Sequence, residues 1–174
     1  MISIRRAVVA DAAALAALAE KTFRDTFGAS NRPDDMDLHC RQSYAEVIQA
    51  REIADRDRLT WLAVAGGMMA GFAQLRWGPT PACVPERAAG ELQRIYVDRA
   101  WHGQGIAQAL MAACVAEFQR RGTEVIWLGV WEHNSRALAF YRKQGFEEVG
   151  DHVFQLGEDP QRDLILARPT RGAG

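Results

Sequence analysis

The chain has 174 residues, 48% of them hydrophobic and 25% charged, which fits one soluble globular domain with a core of its own. A formal net charge of −1 gives no electrostatic reason to expect nucleic acid or an anionic membrane as partner. The N-terminus, MISIRRAVVAD, lacks the apolar run of a signal peptide, and nothing approaches the roughly 20 apolar residues of a membrane span. The expected location is therefore cytoplasmic. Cys40, Cys83 and Cys114 lie far apart and form no CxxC pair, so they read as reduced thiols.

In chain order, Ser3–Val8 predicts a first strand, and Asp11 is placed to cap the helix after it. Leu15, Leu18, Ala19, Thr22 and Phe23 recur at helical spacing. Asp25–Asp37 mixes turn residues with four acids and predicts a break, with helical pattern resuming near Leu38 and continuing with breaks to Ala54. The charged stretch Arg51–Arg58 reads as solvated. Thr60–Ala65 and Met68–Trp77, joined by Gly66-Gly67, predict a β-hairpin. Gly78–Gly90, with three prolines, reads as a loop.

The central stretch runs from Glu91 to Arg121. A strand-like run, Leu92–Val97, meets a turn at Asp98–Gly103. An amphipathic helix follows, with apolar positions Ile106, Leu110, Ala113, Cys114 and Phe118, and Arg120, Arg121 and Gly122 close it. Strand, glycine turn and helix in that order make a nest of backbone N–H groups suited to phosphate or pyrophosphate. Beyond it, Val125–Val130 predicts a buried strand, and Asn134 or Ser135 caps a helix ending near Gly145. Phe146–Val149, Val153–Leu156 and Leu164–Ala167 read as strands, and Thr170–Gly174 as a frayed tail. The pattern predicts an α/β protein, a mixed sheet with helices on both faces.

The glycine turn alone leaves several readings open. A P-loop needs GxxxxGK[ST], and the lysine and hydroxyl are missing. A Rossmann turn needs GxGxxG, but Gly103-Gln104-Gly105-Ile106-Ala107-Gln108 fails at the last position, although Glu132 sits where a ribose-binding acid could be. A tight turn that binds nothing is the third.

Here the sequence resembles the GCN5-related N-acetyltransferases. Their acetyl-CoA motif is [QR]-x-x-G-x-[GA] after a central strand; Gly105 and Ala107 match its fourth and sixth positions, and His102 departs from it at the first. Asn134, Ala137, Tyr141, Gly145 and Phe146 match the family's N-x-x-A-x-x-x-Y-x-x-x-G-F pattern, with Lys143 inside it. A narrower resemblance, to PaiA-type polyamine acetyltransferases, rests on FRDTFGASN, ELQRIYVDR, WEHNSRALAFYRKQGF and GDHVFQLGEDPQRDLIL. The resemblance implies one acyl-CoA N-acyltransferase domain. Residues 1–59 would form its substrate side, 60–147 its acetyl-CoA core and 148–168 its C-terminal strands.

It also implies acetyl-CoA as co-substrate and a small primary amine, a polyamine foremost, as acceptor. The cofactor would lie along Ile95, Tyr96, Val97, His102, Gly103, Gln104, Gly105, Ile106, Ala107, Gln108, Asn134, Tyr141 and Lys143. A primary ammonium at pH 7 costs about 4–5 kcal/mol to deprotonate, so a base is expected. Glu91 is the best single candidate, and reads equally well as a solvated strand-end charge. Backbone N–H groups at Ile95–Val97 could polarise the carbonyl where the strands splay. Tyr141 is the candidate donor to the departing sulfur, against a plain core role beside Leu138 and Phe140. Asp25, Asp34, Asp35 and Asp37 could attract a polycation or simply be solvated. The histidines, His39, His102, His133 and His152, show no zinc-like spacing, so no metal is expected. Two alternatives stand: an acetyltransferase for protein N-termini or lysines, and an acyl-CoA sensor without turnover. Homodimers are common among similar proteins, which is the sole ground for expecting one.

Overall fold

The computed structural model describes residues 1–85 and 88–171. Part of the expected Gly78–Gly90 loop, and the last three residues of the expected tail, lie outside the described residues.

The chain opens with strand β1 (Ile2–Arg6), followed by helices α1 (Ala12–Phe27), α2 (Pro33–Ser43) and α3 (Glu46–Ala54). Strands β2 (Arg58–Ala65), β3 (Met68–Arg76) and β4 (Ala89–Val97) come next. Helix α4 (Ile106–Arg120), strand β5 (Val125–Trp131), helix α5 (Ser135–Lys143) and strands β6 (Glu147–Leu156) and β7 (Asp159–Pro169) complete the fold. The seven strands form one mixed sheet in the order β1-β2-β3-β4-β5-β7-β6.

Period-two alternation sorts the core onto two faces. On β2 and β3, Leu59, Ala63, Ala73 and Leu75 pack with Ile106, Leu110, Phe118 and Leu138 of α4 and α5. Leu62 and Phe72 point the other way, to Leu15, Phe23 and Met36 of α1 and α2. The expected mixed sheet with helices on both faces is what forms. The hairpin does too: Gly66 and Gly67 have φ of 58° and 80°, the left-handed pair a two-residue hairpin turn requires.

Several local expectations are corrected. Asp11 does not cap α1. Its carboxylate instead grips Arg5 at 2.7 and 2.8 Å and accepts from the Val8 amide, which ties β1 to the short 3₁₀ turn before the helix. Helix α2 starts at Pro33 rather than near Leu38, because proline suits a first helical position where no N–H is needed. The acids Asp34–Asp37 are therefore helical. Arg51–Arg58 is not simply solvated: Glu52 faces the sheet and binds Arg94 at 2.9 Å and Arg58 at 3.1 Å. The segments Phe146–Val149 and Val153–Leu156 belong to one strand, β6, which bends at a bulge between Glu148 and Gly150.

The feature that positions the site is the junction of β4 and β5. These parallel strands pair only over Ala89–Glu91 against Val125–Trp127, and then diverge. Phe118 of α4, fully buried, packs on that short junction. A Cβ on Gly90 would come within 2.4 Å of its ring and 3.1 Å of Trp77 Nε1. Gly90→Ala should therefore overpack the junction and cost about 1–3 kcal/mol in urea unfolding. Unchanged stability would show that Phe118 can move aside.

Candidate active site

Past Glu91 the edge of β4 has no strand opposite it. The Asp98 amide donates to the Ala70 carbonyl on β3 at 2.9 Å. Alternation along the strand then turns the amides of Ile95 and Val97 into the gap. The Val97 carbonyl points the same way and receives Nε2–H of His102 at 2.8 Å. Arg136 of α5 donates to the other ring nitrogen at 3.0 Å, which fixes the imidazole as the Nε2–H tautomer. His102 thus serves as a half-buried link between the strand end and α5.

The turn after β4 has the expected geometry. Gly103 and Gly105 both have φ of 78°, and a Cβ on either would point into open space. The requirement for glycine is thus conformational. Gly105 is the N-cap of α4, and the first intrahelical bond runs from Ala109 to Gly105. Among the described residues no protein acceptor meets the N–H groups of Gly103 to Gln108. Six consecutive free donors at a helix N-terminus fit a diphosphate.

These groups border a cleft of about 560 Å³ that includes Ile95–Val97, Gly103, Gly105–Gln108, Asn134 and Tyr141. Gln104 and Lys143 are not among its lining residues, and Lys143 is exposed on the last turn of α5. Two cations that sequence reasoning missed, Arg99 and Arg136, do line it. Arg99 also donates to the Asp25 backbone carbonyl. Lone arginines outside a motif give no signal in a single sequence.

A second cavity of about 420 Å³ opens on the α1–α3 side of the sheet. Ile95, Tyr96, Asn134, Ala137 and Tyr141 line both spaces, so the two meet where β4 and β5 part. Asn134 caps α5 by accepting from the Ala137 amide at 3.2 Å, which leaves its side-chain NH₂ free. The Tyr141 hydroxyl has no protein partner among the described residues. Burial is the main cause that pushes its pKa above the ordinary phenol value, so it stays protonated.

Glu91 lines the second cavity and is buried, with its carboxylate 2.6 Å from Arg76 Nη2. Burial raises its pKa, against the opposing pull of that guanidinium. Asp25, Asp34, Asp35 and Asp37 do not line this cavity. Asp25 pairs with Lys21, Asp37 with Arg24, and Asp35 accepts from the Glu158 amide.

Besides Glu91, the cavity is faced by Asp163 on β7, which the sequence reading did not single out. It is 8% exposed and has no hydrogen-bond partner among the described residues; His152 Nε2 stands 3.9 Å away. Burial pushes its pKa up to about 6. His39, stacked on Phe23, is held neutral because burial lowers its pKa to about 4. Burial likewise pushes the Cys40 thiol up to about 11 and Cys114 higher still, so neither is an activated thiolate. Among the described residues no group of three His, Cys, Asp or Glu could hold a metal ion, and no helix is long and apolar enough to cross a membrane.

Known proteins resemble the chain in sequence and in fold. The sequence model described as the acetyltransferase (GNAT) family matches residues 15–146. An uncharacterized N-acetyltransferase of Lactobacillus delbrueckii subsp. lactis is 31% identical over 87% of this chain and 88% of its own. Among solved structures, PaiA N-acetyltransferase from Thermoplasma acidophilum in complex with coenzyme A superposes with a TM-score of 0.80. Its identity is 21%, over 97% of this chain and 99% of that one. The ribosomal-protein-S18-alanine N-acetyltransferase of Escherichia coli gives a TM-score of 0.69 at 23% identity, over 100% and 97%. At these identities the structural likenesses speak to the fold, and the fold expected from sequence is shared.

The unpaired Asp163 makes a prediction about stability. Its folded pKa lies above the unfolded value of 3.8, so the native state holds this proton more tightly. That contribution is full below about pH 4 and is lost as pH rises through about 6. Asp163→Asn should therefore raise stability at pH 7.5, by on the order of 2–3 kcal/mol, and change little at pH 4. Urea titrations at the two pH values check this; a variant less stable than wild type at pH 7.5 contradicts it.

Proposed function

The chain belongs to the GNAT family of acetyltransferases and is an acetyl-CoA-dependent N-acetyltransferase, and from that premise we propose that its acceptor is a small primary amine, a polyamine foremost. The observation that carries this reading is the meeting of two cavities at Tyr141, in the gap between β4 and β5. One cavity has the amide nest and two arginines. The other has aromatic walls, the Arg76-paired Glu91 and the unpaired Asp163, and its volume of about 420 Å³ falls in the range of small-molecule sites. In this reading residues 1–59 form the substrate side and 148–168 add C-terminal strands, while the cofactor core 60–147 also supplies Arg76, Glu91 and Gly129 to the acceptor cavity.

Acetyl-CoA supplies an acyl group on a thiolate leaving group, and the protein's residues do the rest. The free amides of Gly103–Gln108 hold the diphosphate, with Arg99 and Arg136 near enough to add positive charge. The side-chain NH₂ of Asn134, left over from its capping bond, is available to the pantetheine arm. The amides of Ile95 and Val97, aimed into the gap, meet the carbonyl oxygen as negative charge develops there. These donors are fixed by the β3–β4 ladder, so little reorganisation is needed at the moment of reaction.

Tyr141 faces the sulfur. Full proton transfer from a phenol of raised pKa would be uphill, so its role is a hydrogen bond that strengthens as the thiolate forms. Glu91 takes the amine's proton, through water, and becomes a neutral carboxylic acid beside the Arg76 guanidinium, a form that its burial favours. Attack is direct, within a ternary complex. Cys40 and Cys114, whose thiols burial keeps protonated, are not activated for an acyl-enzyme.

The second reading, acetylation of protein N-termini, draws on the likeness to the S18-alanine enzyme, and one assay separates the two. Acetyl-CoA is offered with spermidine, spermine, amino acids and an alanine-terminated peptide under free-thiol detection. Turnover of the polyamines with the peptide inert is the expected result; the reverse overturns the acceptor assignment. In the same assay Tyr141→Phe should lower kcat tenfold or more with little change in acetyl-CoA affinity. Unchanged kcat would remove Tyr141 from the chemistry.

A further inference from the structure

Asp163 is a carboxylate placed where the fold has no use for it. It is more than nine-tenths buried, and its neighbours on β5 and β6 offer it no hydrogen bond. Asp163 and Ile165 share one face of β7, while Leu164 and Leu166 take the other, against α4 and α5. The carboxylate therefore faces the acceptor cavity on the α1–α3 side.

The other charged groups on that cavity are accounted for. Arg76 is bound to Glu91, and Arg94 to Glu52 at 2.9 Å and Gln74 at 2.7 Å. His39 is neutral and His152 stands 3.9 Å off. Asp163 is left as the one lining carboxylate without a cation at hydrogen-bond distance among the described residues.

A second observation points to a ligand there. Gly129, on β5 between the splayed end of β4 and β7, has ordinary backbone, yet a Cβ on it would lie 3.3 Å from Asp163 Oδ2 and 3.1 Å from His152 Nε2. Glycine keeps the floor of the cavity open in front of the carboxylate. Phe27, Trp131 and Phe154 border the same space, and aromatic rings attract a cation.

A carboxylate beside an ammonium favours its charged form. A nitrogen held against Asp163 would stay protonated and could not attack a thioester. We propose that Asp163 anchors a second, non-reacting ammonium of the acceptor, so that the cavity selects diamines and longer polyamines over monoamines. This rests on the acetyl-transfer reading above and adds the residue that sets its specificity. The reacting nitrogen lies at the Tyr141 end, and the spacing between the two nitrogens decides which amines reach both.

The test compares 1,4-diaminobutane, spermidine and 1-aminobutane, by steady-state kinetics and by calorimetry on the enzyme–CoA complex, for wild type, Asp163→Asn and Asp163→Glu. Wild type should prefer the diamine over the monoamine at least tenfold in KM. Asp163→Asn should raise the diamine KM tenfold or more, to near the monoamine value, with kcat changed less than threefold and CoA affinity unchanged. Asp163→Glu, keeping the charge, should recover part of the preference. A preference that survives in Asp163→Asn overturns the proposal, as does a wild type that treats diamine and monoamine alike. If no amine is acetylated but the diamine still binds in an Asp163-dependent way, the anchor stands and the transfer reading falls. Acetylation of a peptide N-terminus with no binding of the diamine overturns the anchor and the small-amine acceptor together and leaves acetyl transfer itself standing.

Discussion

The parallel ladder between β4 and β5 ends after three residues, and the site depends on that early end. A fully paired β4 would spend the amides of Ile95 and Val97 on β5 and close the sheet. Because the strands part, the sheet carries a slot through its middle, with helices α4 and α5 on one side and α1–α3 on the other. In the proposed mechanism a cofactor arm reaching from one face and an amine from the other would meet in the slot.

Both ends of the slot are held. At its base, Gly90 lets the Phe118 ring close over the last paired residues. At its mouth, His102 ties the Val97 carbonyl to Arg136 on α5. The family pattern has glutamine or arginine at that position. Here an imidazole acceptor meets the arginine and its N–H meets the strand end, so the departure joins two elements of the slot. The acceptor side is lined by ion pairs and neutral aromatics, with Glu91 and Arg76 joined across β3 and β4. Charge in that cavity is thus balanced except at Asp163.

Much of this was legible in the sequence because it is written in local code. Gly66-Gly67 with alternating flanks gives the hairpin, and Gly103-x-Gly105 before an apolar stripe gives the amide nest. Asn134 at a cap with Tyr141 two turns on gives the second half of the site. What was not legible depends on long-range pairing. Asp163 looks like any strand-end acid until β5, β6 and β7 are assembled and Gly129 is seen to leave it uncovered. Arg136 and Arg99 become site residues only because α5 and the post-β4 turn face each other. The acids Asp25–Asp37 drew attention by clustering in sequence, yet Asp25, Asp37 and Asp35 are met by Lys21, Arg24 and the Glu158 amide. Asp11 has the residue type of a cap, but the bidentate hold of Arg5 draws it away.

The central claim is that the diphosphate of acetyl-CoA sits on the amides after β4 while its acyl end lies in the slot. Backbone amide NMR during titration with coenzyme A and then acetyl-CoA tests it directly. The account predicts large shifts for Gly103, Gly105, Ile106 and Ala107 with either ligand, and a further shift of Val97 with acetyl-CoA alone. Saturable binding that leaves Gly103–Gln108 unmoved and perturbs amides elsewhere would contradict it.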